Sequence, residues 1–151
     1  MRSREEIAAR IAALRADAAA APIAKDEIAL IDAILNLRET AANVLSALRD
    51  IAVDMPAIGD AISRMDARLT ALDARGVDVE TLEFEGSYGR TSLEYYDGFV
   101  FGFYATGRPD LPPVATGGRY DALTAQLGQG RAVPAVGGVI RPDLALEVGR
   151  C

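Results

Sequence analysis

Apolar residues recur at two different periods along this chain, and the change of period divides it. Through about residue 76 the spacing is three and four, as on one face of a helix. Ser3-Arg4-Glu5-Glu6 fits a capping box, and Ile7, Ile11, Leu14 and Ala18 follow at helical spacing. The Ala18–Ala21 run meets Pro22, which predicts a stop just before it. This first stripe is thin, so the helix is marginal alone. Leu30, Ile34, Leu37, Ala41, Val44, Leu48 and Ile51 then step by four and three without a break. They predict one continuous helix from about Asp26 to Ala52. Such a seam serves either a coiled-coil or oligomer contact or packing against neighbouring helices, and the packing reading is adopted. Pro56 suits a first helical turn, Ile58, Ile62, Met65, Leu69 and Leu72 form a third stripe, and Gly76 fits its stop.

Beyond Gly76 the period falls to two. Val77–Glu85 is a strand candidate ending on Leu82 and Phe84. Its acids Asp78, Glu80, Glu83 and Glu85 read as the solvent side of an edge strand rather than a cation site. Gly86-Ser87-Tyr88-Gly89 is a loop. Leu93, Tyr95, Phe99, Phe101 and Phe103 then alternate with Glu94, Tyr96, Gly98, Val100, Gly102 and Tyr104, which predicts a strand with one strongly buried face. Arg108-Pro109-Asp110-Leu111-Pro112-Pro113 turns the chain, and Val114–Thr116 returns as a paired strand. Arg119-Tyr120-Asp121 opens a helix carrying Leu123 and Leu127, which Gly128-Gln129-Gly130 ends. Ala132–Ile140 reads as a buried strand kinked at Gly137-Gly138, and Pro142 starts a last helix. The expected fold class is α+β, an antiparallel sheet with flanking helices preceded by a helical lobe. The expected domains are residues 1–76 and 77–151.

Composition agrees with that division. Of 28 alanines, 21 precede Gly76, whereas all nine aromatics and 13 of 14 glycines lie at or beyond it. The 151 residues suffice for a domain with a core. The net charge of −6 carries no basic footprint for nucleic acid. There is no histidine, which removes the commonest metal ligand and general base, and the single cysteine, Cys151, rules out an internal disulfide. Neither a metal nor a cofactor is expected. No apolar run is long enough to span a bilayer, and charges at Arg2, Arg4, Glu5, Glu6 and Arg10 do not fit a signal peptide. A cytoplasmic setting without membrane contact is expected.

The candidate chemistry lies between Leu93 and Asp121. Bare glycines inside a strand mark close approach of a ligand or another backbone. Gly98 and Gly102 share a face with Glu94 and Tyr96, so an acid and a phenol border the space the glycines leave open. The turn brings Tyr120 back towards Tyr96, and Gly117-Gly118 admits close approach of backbone. From pattern alone, the favoured reading is an aromatic hairpin packed on a core. The glycines at 128–130 make no phosphate loop, since no Lys-Ser/Thr follows.

A resemblance adds a sharper reading. Glu94-Tyr95-Tyr96-Asp97-Gly98 resembles the Leu-Asp-Tyr-Tyr-Thr-Gly signature of histidyl-tRNA synthetases and their paralogue, the regulatory subunit of ATP phosphoribosyltransferase. Gly117-Gly118-Arg119-Tyr120-Asp121 resembles the second histidine-specific signature, and Pro134-Ala135-Val136-Gly137 the approach to the third class II motif. Three matches in the right order span the last third of the chain, and the helical lobe resembles the family's insertion. The resemblance implies a partial class II synthetase-like sheet. It implies histidine contacts from Glu94, Tyr95, Tyr96, Gly117, Gly118, Arg119 and Tyr120, with Arg90 a further candidate.

The departures from the family pattern direct the functional expectation. The activating arginine's register holds Thr91, with Arg90 one place earlier, and one residue in a strand reverses the side-chain face. Where the third motif has Gly-hydrophobic-Glu-Arg, this chain has Arg141, Pro142, Asp143 and Leu144, and Leu144 cannot fork to a phosphate. The first two class II motifs are absent. The resemblance therefore implies a non-catalytic regulatory subunit of ATP phosphoribosyltransferase in histidine biosynthesis. Such a subunit senses histidine as effector and supports a short-form catalytic subunit in an oligomer. The alternatives are a piece of a histidyl-tRNA synthetase catalytic core and a helix-rich interaction module with a vestigial pocket. The chain is expected to be the C-terminal part of a longer protein, with Met1 an internal or introduced start.

Overall fold

The computed structural model describes residues 3–89 and 96–149. It contains two compact units, Met1–Phe84 and Glu85–Cys151. The expected Arg90, Glu94 and Tyr95 lie outside the described residues.

The first unit opens with α1 (Arg4–Ala19), started by the capping box expected from the sequence. The Ser3 hydroxyl accepts from the Glu6 amide at 3.1 Å, and the Glu6 carboxylate accepts from the Ser3 amide at 2.7 Å. Ala20 is already extended, two residues ahead of Pro22. No residue of α1 is buried, and Ile7, Ile11 and Leu14 are exposed. The next helix, α2 (Lys25–Leu35), also buries none.

The continuous helix expected over residues 26–52 is instead broken. Asn36 leaves the helical basin at φ −93°, ψ 0°, and its amide group donates back to the Asp32 carbonyl at 2.9 Å. A three-residue strand, β1 (Arg38–Thr40), pairs with β2 (Glu83–Glu85), and the Ala41 amide donates to the Leu82 carbonyl at 2.7 Å. The helix then restarts as α3 (Ala41–Asp54). Leu37 and Ala41 keep the four-residue spacing across the break, so periodicity alone could not reveal it. The strand expected over 77–85 shrinks to β2.

A single 3-10 turn (Pro56–Ile58) leads into α4 (Gly59–Asp73). Gly76 stops the chain at φ +79°, where its amide donates to the Asp73 carbonyl and the Val77 amide to the Leu72 carbonyl. The core lies between α3 and α4, where Ala41, Val44 and Leu45 meet Ile62, Met65 and Leu69. Phe84 and Val79 pack against it from the return segment. The Arg49–Asp66 pair above it is half exposed and contributes little.

The second unit is a three-stranded antiparallel sheet in the order β3 (Val100–Phe103), β4 (Ala115–Arg119), β5 (Val136–Ile140). Its register pairs Val100 with Gly118 and Gly118 with Gly137. Arg108 fixes the turn before β4: it forks onto Asp110 at 2.8 and 2.9 Å and reaches Glu147 at 2.8 Å. Those bonds hold the Asp110 carboxyl below its ordinary range, the hydrogen bond from Arg108 being the largest cause. Between β4 and β5 runs α5 (Asp121–Leu127), closed by Gly128, with Gln129 and Gly130 left-handed at φ 53° and 93°. The last helix, α6 (Pro142–Val148), starts on Pro142 as expected.

Two burial expectations fail here. The Phe face of β3 is not a buried face: Phe101 is half-buried and Phe103 is 64% exposed. The β5 strand is largely exposed, and Gly137-Gly138 sit in regular register rather than at a kink. Among the described residues of this unit only Gly117 and Gly118 are buried. Apolar alternation identified the strands but could not report what covers them.

The contrast between α3 and α1 is measurable by denaturant unfolding. Val44→Ala, at a position with no exposed surface, is expected to cost about 2–3 kcal/mol. Ile11→Ala, on the exposed stripe of α1, is expected to change stability by less than about 0.5 kcal/mol.

Candidate functional site

Side chains alternate across the sheet, so Val100, Gly102, Thr116, Gly118, Gly137 and Val139 share one face. Glycine occupies one place on each strand of that face, and a tyrosine covers each. A methyl group at Gly118 would stand 2.6 Å from Tyr96 Cδ1. One at Gly137 would stand 2.7 Å from the Tyr120 hydroxyl. The Tyr88 ring lies over Gly102 in the same way. The space expected to admit a ligand next to Gly102 is therefore filled by a phenol of the chain itself.

Tyr96 and Tyr120 lie side by side on this floor. Their ring centroids are 6.4 Å apart and the planes are inclined at 54°. Both residues are half-buried, so one side of the pair faces solvent. The hairpin turn expected from the Pro/Gly run brings these two rings together from 24 residues apart.

Backbone and carboxylates hold the arrangement. The Asp97 amide donates to the Arg119 carbonyl at 3.0 Å, and the Arg119 amide donates to the Phe99 carbonyl at 3.0 Å. The segment carrying Tyr96 is thus laced to the end of β4. The Tyr120 amide donates to the Ala135 carbonyl at 3.0 Å. The Asp97 carboxylate accepts from the Asp121 amide at 3.1 Å and from the Ala122 amide. The Asp121 carboxylate accepts from the Ala135 amide at 2.8 Å and from the Arg119 guanidinium at 2.7–2.8 Å. These bonds, led by the Ala135 amide, hold the Asp121 carboxyl below its ordinary value against the opposing effect of burial.

Not all the expected residues join the ring pair. Alternation along β4 puts Gly117 and Arg119 on the opposite face from Gly118. Gly117 lies under the Phe101 ring, and the Arg119 stem covers Gly98 while its guanidinium pairs with Asp121. Arg141, at the place where the third motif departs, donates to the Pro113 carbonyl at 2.7 Å. Asp97 and Asp121 were not singled out as site residues. Their signal was positional: each is the immediate neighbour of one paired tyrosine.

A second phenol pair lies on the same face. Tyr104 Oη donates to Tyr88 Oη at 3.3 Å, with ring centroids 6.4 Å apart. Burial first, then the Tyr104 hydroxyl, pushes the Tyr88 phenol up to about 12, although Arg141 draws it down. The phenolate form is therefore disfavoured in the folded chain.

Comparison with known proteins places these observations in a lineage. The family model described as Histidyl-tRNA synthetase matches residues 5–144. An ATP phosphoribosyltransferase regulatory subunit from Sinorhizobium medicae (strain WSM419) is 35% identical over 137 residues, covering 90% of this chain and 35% of that protein. One from Rhizobium meliloti (strain 1021) is 33% identical over 153 residues, covering 99% of this chain and 39% of that protein. The Agrobacterium fabrum protein of the same name is 43% identical over 77 residues, covering 51% of this chain and 20% of that protein. The chain thus spans well under half the length of these curated relatives. No solved structure gives a significant match. No helix among the described residues is long and apolar enough to cross a membrane.

Two outcomes follow from the tyrosine floor. Gly118→Ala and Gly137→Ala each place a methyl group inside contact distance of a ring, so each is expected to displace that tyrosine. The overpacking is expected to cost about 1–3 kcal/mol, read by denaturant unfolding and by the ring resonances. Tyr88, followed by ultraviolet difference against Tyr88→Phe, is expected to ionise near pH 12 rather than near 10, and earlier in Tyr104→Phe. Because its folded value is raised, the associated stability is complete below pH 10 and is lost as pH climbs to 12.

Proposed function

This chain belongs to the histidyl-tRNA synthetase family, and from that premise we propose that it is part of a regulatory subunit of ATP phosphoribosyltransferase that senses histidine. The names of its relatives support the regulatory role. The observation that carries the ligand reading is the Tyr96–Tyr120 pair, two half-buried phenols side by side over Gly118 and Gly137.

The chemistry suits an imidazole. Neutral imidazole has one nitrogen that donates and one that accepts, and a phenol can do either. Two phenols at a fixed separation discriminate a ring bearing both kinds of nitrogen from an apolar ring, because an unmatched ligand leaves buried polar groups unpaired. In this reading Tyr96 and Tyr120 contact the imidazole and Glu94 adds an acceptor. Gly118 sets the depth of the floor. The resemblance adds Tyr95 as a contact and Arg90 as a further candidate, while Gly117 and Arg119, which it also names, lie on the opposite face of β4. The groups that grip the amino acid's own ammonium and carboxylate come from outside this chain.

The subunit works non-catalytically beside a short-form catalytic subunit. Leu144 stands where a synthetase would grip triphosphate with arginine, and Arg141 is engaged with the Pro113 carbonyl. Histidine controls the complex by binding one of its conformations more tightly, a coupling typically of ~1–3 kcal/mol. The family match itself favours one alternative, a piece of a histidyl-tRNA synthetase whose remaining segments supply the nucleotide site.

Titration calorimetry of the full-length protein tests the proposal. Histidine is expected to bind the wild type, and Tyr96→Ala to weaken binding on the order of tenfold or more. Undiminished binding by the mutant would remove Tyr96 from the site. Histidine-dependent pyrophosphate exchange by the full-length protein would instead establish the synthetase alternative.

A further inference from the structure

We propose that Asp97 is a positioning residue that sets the spacing of the Tyr96–Tyr120 pair. As a statement about ligand binding this rests on the histidine reading above; as a statement about ring geometry it stands on the bonds alone.

The two tyrosines come from different elements. Tyr96 lies in the irregular segment before β3, and Tyr120 lies at the junction between β4 and α5. The Tyr120 backbone sits at φ −146°, ψ 55°, neither strand nor helix, so neither element dictates where its ring points. Neither ring is held by a packed core, since no apolar side chain in this unit is buried among the described residues. A tie between the two segments can fix the rings relative to one another.

Asp97 is placed to do so. It follows Tyr96 directly, and its two carboxylate oxygens take the amides of Asp121 and Ala122, the first two residues after Tyr120. Those amides open α5 and have no acceptor within the helix, so an acceptor supplied from another segment satisfies them. The bond is charge-assisted and two-pronged, which fixes orientation as well as distance. The Asp97 amide adds a third tie to the Arg119 carbonyl on the other side of Tyr120. One residue thus grips the chain on both flanks of Tyr120 while being covalently joined to Tyr96.

Asp121 completes the link. It turns its own carboxylate onto the Ala135 amide and the Arg119 guanidinium, and so anchors the same junction to the entrance of β5. Asp97 therefore ties the first ring to a junction already fixed to β5, and it alone among these ties joins the Tyr96 segment to α5.

The test uses the full chain labelled for NMR. In the wild type the Asp121 and Ala122 amides are expected to exchange with solvent at least roughly tenfold more slowly than unstructured amides. Asp97→Ala is expected to lose that protection and the ring-to-ring contact between Tyr96 and Tyr120, while the Gly118–Gly137 pairing across β4 and β5 persists. Asp97→Asn keeps one acceptor oxygen and is expected to fall between the two. Histidine affinity, measured on the full-length protein, is expected to follow the same order, falling about tenfold in Asp97→Ala and less in Asp97→Asn.

Unchanged ring contact in Asp97→Ala overturns the proposal, as do wild-type amides that exchange freely. Should Asp97→Ala fail to fold, Asp97→Asn and the wild-type exchange rates decide. Lost ring contact with undiminished histidine affinity removes Asp97's role in binding. A full-length wild type that ignores histidine, with ring contact still lost in Asp97→Ala, defeats the histidine reading and leaves the geometric role of Asp97 standing.

Discussion

The second unit depends on places where side chains are missing. Gly118 and Gly137 are partners across β4 and β5, and between them they leave a stretch of sheet with bare backbone. On that stretch two phenol rings lie with their centroids 6.4 Å apart and rest on the strands beneath. A sheet built this way gives up the side-chain packing that normally stabilises strand pairs, where opposed residues contribute roughly 0.2–1 kcal/mol each. The ladder, the carboxylate ties around Asp97 and Asp121, and the Arg108 fork onto Asp110 and Glu147 carry the organisation instead.

The first unit follows the opposite rule. Its helices α3 and α4 interdigitate apolar side chains of ordinary size, with Val44 wholly enclosed. The polar side-chain contacts described there lie at the surface, as the Arg49–Asp66 pair does. Burial stabilises one unit, whereas directional bonds on a glycine-rich frame order the other. The alanine-to-glycine shift near Gly76 is the compositional trace of that difference.

Much of this was legible in the residues. Ser3 with Glu6, Pro56, Gly76 and Pro142 carry their own local geometry, so they mark helix ends without reference to the rest of the fold. The alternation from Phe99 to Tyr104 and the Pro/Gly turn after it gave the hairpin, and with it the approach of Tyr120 to Tyr96. What the sequence did not disclose depends on distant partners. The break between α2 and α3 exists because residues 38–40 pair with a segment more than 40 residues later, and no periodicity in the helix records that. The open face of β3 and β5 was misread because apolar alternation states which residues can be covered, not what covers them. Tyr88 reads as a loop residue, yet it fills the space over Gly102, since that space is created by another strand. The histidine signatures entered only through resemblance, because two tyrosines and some glycines have no period of their own.

Tyr120 occupies the last residue before a helix of seven residues, itself about 10 Å long. Partway along that helix Thr124 is clasped to Val133, with bonds running in both directions. A shift of the backbone at Tyr120 would therefore pass along this short rod and, through the Thr124–Val133 clasp, reach the strip of chain that leads into β5.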